Sequence, residues 1–224
     1  MKKYSSSISQ RLTGRHKYSF KFCGSVKGKK ILDVGSSYGW FEKFAVGAGC
    51  QSILGIEPDG NFYNAKKEVP QAVFKQGSAL KIPAKDKSFN IVVMFDVIEH
   101  IPKGTEIQAL NEIKRVLKPK GKFIMSTDFD WWLAKFMDPA WYFGHRHYSQ
   151  EKLEKLFNLA GFQVVEFQKR GGYFEMTGTI LLYLFKWIFR REIPFKSFFD
   201  RKKDAEFLNK NDGFVTIFAK TIVR

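Results

Sequence analysis

Two cysteines, Cys23 and Cys50, are all that the 224-residue chain contains. That is too few for a disulfide framework, and their separation is not that of metal ligands, so a reducing, cytoplasmic setting is expected. The basic start Met1-Lys2-Lys3 resembles the opening of a secretory signal, but residues 5–10 are polar and no apolar segment follows. Long apolar runs are also missing. The longest, residues 176–185, has half the ~20 residues of a spanning helix. Internal repeats and low-complexity linkers are absent. With 27% charged and 44% apolar residues the chain is not of the disordered class, and its length suits one α/β domain over residues 1–224.

Acid is missing from the first 32 residues, where nine Lys and Arg side chains precede Asp33. They supply much of a net charge of +16. Such a charge attracts nucleic acid, an anionic lipid surface or an anionic small molecule. Arg, whose planar fork grips phosphate in two places, is outnumbered by Lys 29 to 9. Lys-rich composition therefore explains much of the excess without a nucleic-acid partner.

Short apolar runs at 30–34, 52–56, 72–75, 90–95, 122–126, 162–167 and 214–223 read as strands. Helices are predicted after the first two. Another is predicted behind Thr105, which with Gln108 has the spacing of a capping box, and a fourth runs from Ser149 to a stop at Gly161. The alternation predicts a doubly wound, mostly parallel α/β sheet, whose ligands bind at the carboxyl ends of the strands.

The residues just after each strand carry the chemistry. Asp33-Val34-Gly35-Ser36-Ser37-Tyr38-Gly39 follows the first strand and allows close approach of a ligand to backbone, without the dinucleotide Gly-x-Gly-x-x-Gly spacing. Glu57 follows the second, where an acid grips ribose hydroxyls. Gly77-Ser78-Ala79 follows the third and Phe95-Asp96-Val97-Ile98-Glu99-His100 the fourth.

In that order, ILDVGSSYG, ILGIEPD, QGSALKIP, FNIVVMFDVIEHI, RVLKPKGKFIMS and GHRHYSQEKLEKLFNLAGFQVVE resemble the motifs of class I S-adenosylmethionine-dependent methyltransferases. The likeness is to the small-molecule branch, of the type 11 or quinone-biosynthesis kind, and covers about residues 28–168 and the last strand. It implies a Rossmann-like seven-stranded sheet with the last strand antiparallel, and S-adenosylmethionine as cofactor. The implied cofactor contacts are Asp33, Gly35, Ser36, Gly39, Glu57, Pro58, Ser78, Ala79 and Phe95. Backbone N–H groups of Gly35, Ser36 and Gly39 are expected at the amino-acid end, with Asp33 adding a negative charge nearby. Ser78 stands where the family often has Asp, which weakens the expected grip on adenine. Asn90 replaces another Asp, and that change reads as structural.

Methyl transfer needs alignment and desolvation of the acceptor, with a base for an acidic oxygen or nitrogen. Asp96, Glu99, His100, His145 and His147 are the candidates for bases or acceptor contacts. Asp96, Glu99 and His100 also match the spacing of the quinone O-methyltransferases, where the resemblance implies a divalent cation. They supply at most two or three ligands, and no metal is expected. Residues 1–28 are read as a basic cap over the cofactor, where Arg11, Arg15 or His16 meets an anion. The aromatic-rich residues 127–148 are read as an acceptor-side lid. Residues 173–212 are an insertion between the last two strands. Its apolar part, 176–191, ends in Arg190-Arg191 and suits a membrane surface on the inner face, the acceptor cleft or a homodimer contact. The expected activity is methyl transfer to a small or lipid-linked acceptor, with oxygen preferred. Methylation of RNA and a catalytically silent, cofactor-binding partner subunit are the alternatives.

Overall fold

The computed structural model describes residues 8–59, 62–185, 190, 196–208 and 213–223. Seven strands form one sheet in the order β3-β2-β1-β4-β5-β7-β6. They are β1 Lys30–Val34, β2 Ser52–Glu57, β3 Val73–Gln76, β4 Phe89–Phe95, β5 Leu117–Asp128, β6 Phe162–Arg170 and β7 Thr216–Val223. The first five are parallel, and β7 runs antiparallel between β5 and β6. This is the Rossmann-like arrangement the motifs imply.

Strand alternation sorts the apolar side chains into two cores, one on each face of the sheet. Leu32, Val34, Val92 and Met94 face α4 (Glu106–Val116) and α6 (Gln150–Ala160), between which the chain forms the short α5 (Trp132–Met137). Ile31, Ile91, Val93 and Phe95 face α1 (Gly14–Cys23), α2 (Trp40–Gly47) and α3 (Tyr63–Glu68). Because β1 neighbours β4 rather than a consecutive strand on one side, the chain reverses direction of travel between them. A crevice opens there at the carboxyl edge.

Two local expectations are corrected. Thr105 and Gln108 form no capping box: the Thr105 hydroxyl donates to the Pro102 carbonyl and the Gln108 amide to the Leu80 carbonyl. Glu106 instead accepts from the Gly104 N–H. The Lys118–Gly121 turn does not lie ahead of β5 but bulges within it. Phe89 pairs with Leu117 and Ile91 with Lys122, so the intervening residues loop out, with Lys120 at φ 61°. Ser149 does cap α6, accepting from the Lys152 N–H, and Gly161 ends it at φ +77°. Asn90 is structural as expected, since its side-chain oxygen accepts from the Lys30 N–H.

The insertion forms α7 (Tyr173–Leu184) and α8 (Lys196–Leu208), which pack on each other, and α8 packs on α1. Phe207 of α8 is buried against Tyr18 and Phe218. Asp204 fastens this layer: it accepts from the Gly14 N–H and pairs with Lys17 at 2.9 Å. Of the cationic end proposed for 176–191, Arg190 is exposed, whereas Lys186 and Arg191 lie outside the described residues. No helix among the described residues is long and apolar enough to cross a membrane.

Candidate active site

Two adjoining cavities occupy the carboxyl edge. The larger, about 670 Å³, lies over the β1, β2 and β4 ends and is lined by Gly35, Glu57, Pro58, Ser78, Ala79, Phe95, Asp96 and His100. Tyr38 and Asp59, which lie within the quoted motifs but were given no role there, also line it, as does Trp40. The smaller, about 550 Å³, is lined by Asp128, Asp138, His145, His147 and Glu175, with Met137, Met176 and Val215 as apolar wall. His16 and His100 line both. His16 stacks on Trp40 with ring centroids 4.4 Å apart, and burial lowers its pKa.

The glycine turn works differently from the expectation. Gly35 and Ser36 both donate their N–H to the Ile56 carbonyl, at 2.9 and 3.0 Å, and Gly39 donates to the Ser36 carbonyl. These three N–H groups are thus spent inside the turn rather than offered to a ligand. Gly35, at φ +85°, is required because a Cβ there would come 2.3 Å from Val97 Cγ2. Ser37 donates its N–H to Glu57 Oε2 at 2.8 Å, which ties the turn to β2. Asp33 and Ser36 are buried and line neither cavity. Asp33 lies beside Glu42, and burial raises both carboxyls, so Asp33 does not present the free negative charge expected of it.

Past β4 the chain turns sharply, with Asp96 at φ 55°. Asp96 Oδ1 accepts from the Ser126 hydroxyl at 2.8 Å and meets Arg15 at 3.2 Å. Arg15 also reaches Asp128 at 3.1 Å and Glu175 at 3.8 Å. Burial opposes the Arg15 charge, and the carboxylates more than offset it, holding its pKa well above the ordinary value. The N-terminal excess of positive charge is therefore partly internal. Arg11 pairs with Asp204 instead and lies largely exposed. Glu99 is buried, accepts from the Thr127 hydroxyl and is raised by burial and by Asp96 and Asp128.

On the acceptor side, an extended segment alternates His145 and His147 toward the cavity with Arg146 away from it. Arg146 donates to the Ile98, Glu99 and Ile101 carbonyls and pairs with Glu106. It thereby clamps the turn after β4 to the lid. His145 Nε2 lies 3.4 Å from His100 Nε2. Burial and the neighbouring His145 lower the His100 pKa, leaving it a neutral imidazole near pH 7. Asp96 joins no metal-holding group with Glu99 and His100 among the described residues, and its Oδ1 meets both Ser126 and Arg15. Among the described residues the potential metal-holding groups are Glu99, His100 and His145, and separately Asp128, Asp138, His145 and His147.

A family model described as a methyltransferase domain matches residues 10–167. The chain belongs to the methyltransferase domain family. It is 33% identical over 115 residues to an uncharacterized methyltransferase of Mycobacterium avium, covering 50% of this chain and 44% of that protein. The chain thus spans about half the length of the curated relatives it matches. Among solved structures it resembles an S-adenosylmethionine-dependent methyltransferase from Mesorhizobium loti, with TM-score 0.63 and 14% identity over 91% of this chain and 95% of the other. It also resembles the [4+2]-cyclase SpnF, with TM-score 0.64 and 16% identity over 91% and 80% of the two chains. At such identities the likeness is one of fold.

The cofactor of this methyltransferase domain is S-adenosylmethionine, and the larger cavity fits it. Its volume of about 670 Å³ suits a nucleoside-bearing ligand, with a carboxylate at the β2 end, a hydroxyl at the β3 end and space that Gly35 keeps free of a side chain.

Proposed function

We propose that the domain methylates an oxygen of a small or lipid-linked acceptor seated in the smaller cavity. The carrying observation is that the two cavities meet at His16 and His100. Bound S-adenosylmethionine supplies an electrophilic methyl group whose leaving thioether is neutral. Glu57 holds the ribose hydroxyls, Pro58 flanks them, Ser78 and Ala79 flank the adenine, and Phe95 packs at the β4 end. Ser78 Oγ already accepts from the Leu80 N–H, which leaves its hydroxyl hydrogen and one lone pair for the adenine side. Gly39 shapes the turn without touching the ligand. Arg15, between Asp96 and Asp128, orients these acids toward the shared wall.

His100, neutral near pH 7, takes the proton of the acceptor hydroxyl, and His145 and His147 contact the acceptor from the lid. Trp131, tilted against Phe214 with ring centroids 4.3 Å apart, closes the lid on the sheet and limits water. Further round the lid, Trp132, Phe136, Trp141, Tyr142 and Phe143 are exposed, which supports an acceptor presented at a lipid surface.

Calorimetry with S-adenosylmethionine, followed by incubation with methyl-labelled cofactor and lipid, polar and RNA extracts, tests this reading. Label is expected in the lipid or polar fraction, in a base-stable ether or a methyl ester. Absence of cofactor binding at millimolar concentration overturns the proposal, and label in RNA alone overturns the acceptor class.

A further inference from the structure

Four side chains on the acceptor wall converge on one point. Asp128 ends β5, Asp138 caps a short 3-10 turn at Pro139–Phe143, and His145 and His147 follow on the extended segment. His145 Nδ1 lies 3.1 Å from Asp138 Oδ2 and 3.4 Å from Asp128 Oδ2. His147 Nε2 lies 3.0 Å from the same Asp138 oxygen. One donor atom from each of the four residues falls within 4.8 Å of all the others, and all four residues line the smaller cavity.

Hydrogen bonds alone hold this arrangement only where His147 carries a second proton. His147 Nδ1 faces the Phe129 carbonyl at 3.2 Å, and a carbonyl can only accept, so Nδ1 carries the hydrogen. The neutral ring then points the lone pair of Nε2 at a carboxylate oxygen. A positive species has to stand between them, either a second proton or a metal ion. His145 Nδ1 faces two carboxylate oxygens with at most one hydrogen to give. One cation at the centre satisfies all four donors together.

The distances agree. Donor atoms around a tetrahedral ion with arms of about 2.0–2.1 Å stand roughly 3.3–3.4 Å apart. Three of the six donor–donor contacts, at 3.0–3.4 Å, already match, and the remaining three, all within 4.8 Å, close on an ion as side chains shift. An orienting outer layer is also in place. Asp138 Oδ1 accepts from the Ala140 N–H, Asp128 Oδ1 meets Arg15 Nη2, His147 Nδ1 meets Phe129, and His145 Nε2 meets His100. Metal-ligating imidazoles and carboxylates are held by such second contacts, which fix ring orientation and tautomer.

We infer that Asp128, Asp138, His145 and His147 bind one divalent transition-metal ion in the wall of the acceptor cavity. Zn²⁺ matches best, since the donors are two imidazoles and two carboxylates with no thiolate. The two carboxylates balance the ion's charge. The set is distinct from Asp96, Glu99 and His100, and it draws on the lid rather than on the turn after β4. The ion ties the end of β5, the 3-10 turn and the 145–147 segment together. With four protein ligands filling its tetrahedron, the ion is a structural tie for the acceptor wall, and its binding does not rest on the proposed methyl transfer.

The test strips the full chain with chelator, returns it to chelator-free buffer and titrates it with Zn²⁺, and separately with Co²⁺, without cofactor. One ion per chain, a higher melting temperature and Co²⁺ d–d bands without a thiolate charge-transfer band are expected. Asp138→Asn and His147→Gln should each weaken binding by about a hundredfold, with circular dichroism confirming the fold. Cys50→Ser should leave binding unchanged. The inference is overturned if the folded chain binds neither ion at about 100 µM, or if both variants bind as well as the parent. Where a variant does not fold, the parent's Co²⁺ spectrum decides, and a thiolate band overturns the assignment. Calorimetry of the same stripped sample with S-adenosylmethionine reads the methyl-transfer proposal separately. Cofactor binding without metal binding counts against the metal site alone, and the reverse result against the methyl-transfer reading alone.

Discussion

Asp33 and Glu42 meet beneath the glycine turn, Asp33 at 3% exposure and Glu42 at none. Burial is the main cause of their raised pKa values; Glu57 raises Asp33 further, while Asp33 and Glu57 raise Glu42. Gly55 makes the room, because a Cβ there would lie 2.3 Å from Glu42 Oε1. The folded pair retains a proton that the unfolded chain gives up above about pH 4–4.5. Stability therefore falls as pH rises from there toward the raised values. Glu42→Gln replaces one acid with a donor to Asp33 and removes this loss. The variant should be more stable than the parent by about 1–2 kcal/mol at pH 7, roughly 3–6 °C in Tm, with the gain shrinking toward pH 4. Thermal melts across that range check it. At His100 the expectation concerns rate: His100→Ala should lower kcat about a hundredfold and leave the cofactor Kd within about threefold. Loss of cofactor binding in parallel would place His100 in binding rather than proton transfer. Residues at strand ends, such as Glu57 and Ser78, were legible because chain order assigns them to one edge. Arg15 was not recognised as a site-organising residue because Asp96, Asp128 and Glu175 lie far away in sequence, and Asp138 because its spacing of seven and nine residues to His145 and His147 matches no regular period.

The same distinction holds for elements. All seven strands and their carboxyl-edge motifs follow from apolar runs and turn residues, because those signals are local. The capping box failed because Leu80 and Pro102, from outside the helix, outcompete the reciprocal bonds that Thr105 and Gln108 would make. The insertion was opaque for a similar reason. Its first helix is apolar on many sides, which in sequence resembles an interfacial helix, yet Met176 is buried and the start of α7 is held by a distant acid. Glu206 of α8 accepts from the N–H groups of Gly172, Phe174 and Glu175, at 2.8–3.0 Å. Those are the donors that a helix leaves unsatisfied at its N-terminus. Charge also suits that end of the helix dipole. Glu206→Ala should cost about 2–3 kcal/mol in urea unfolding, whereas Glu206→Gln should cost less than half of that. Equal losses in both variants would mean that packing of α8, rather than the cap, holds α7.

For the whole molecule, the +16 charge divides into an internal part and an external one. Arg15 and Lys17 are matched by Asp96, Asp128, Glu175 and Asp204, so part of the basic N-terminus builds the site and is not available to a partner. The unmatched remainder is mostly Lys, a dispersed charge that favours an anionic surface over the forked grip on single phosphates. The lid exposes aromatics, with Phe143 at 85% and Trp132 at 72% exposure. Lysine attraction to an anionic bilayer is worth about 1 kcal/mol per charge near the surface and decays within a Debye length of about 10 Å at 0.1 M salt. Aromatic insertion is insensitive to salt. Sedimentation with phosphatidylglycerol-rich vesicles should therefore show binding that weakens from about 50 to about 300 mM salt without vanishing, and little binding to neutral vesicles. Trp132→Ala with Phe143→Ala keeps the charge and should remove most of the salt-resistant fraction. If both lipid compositions fail to retain the chain at low salt, the exposed aromatics serve a soluble acceptor or a second protein, and the lipid-linked acceptor class falls with them.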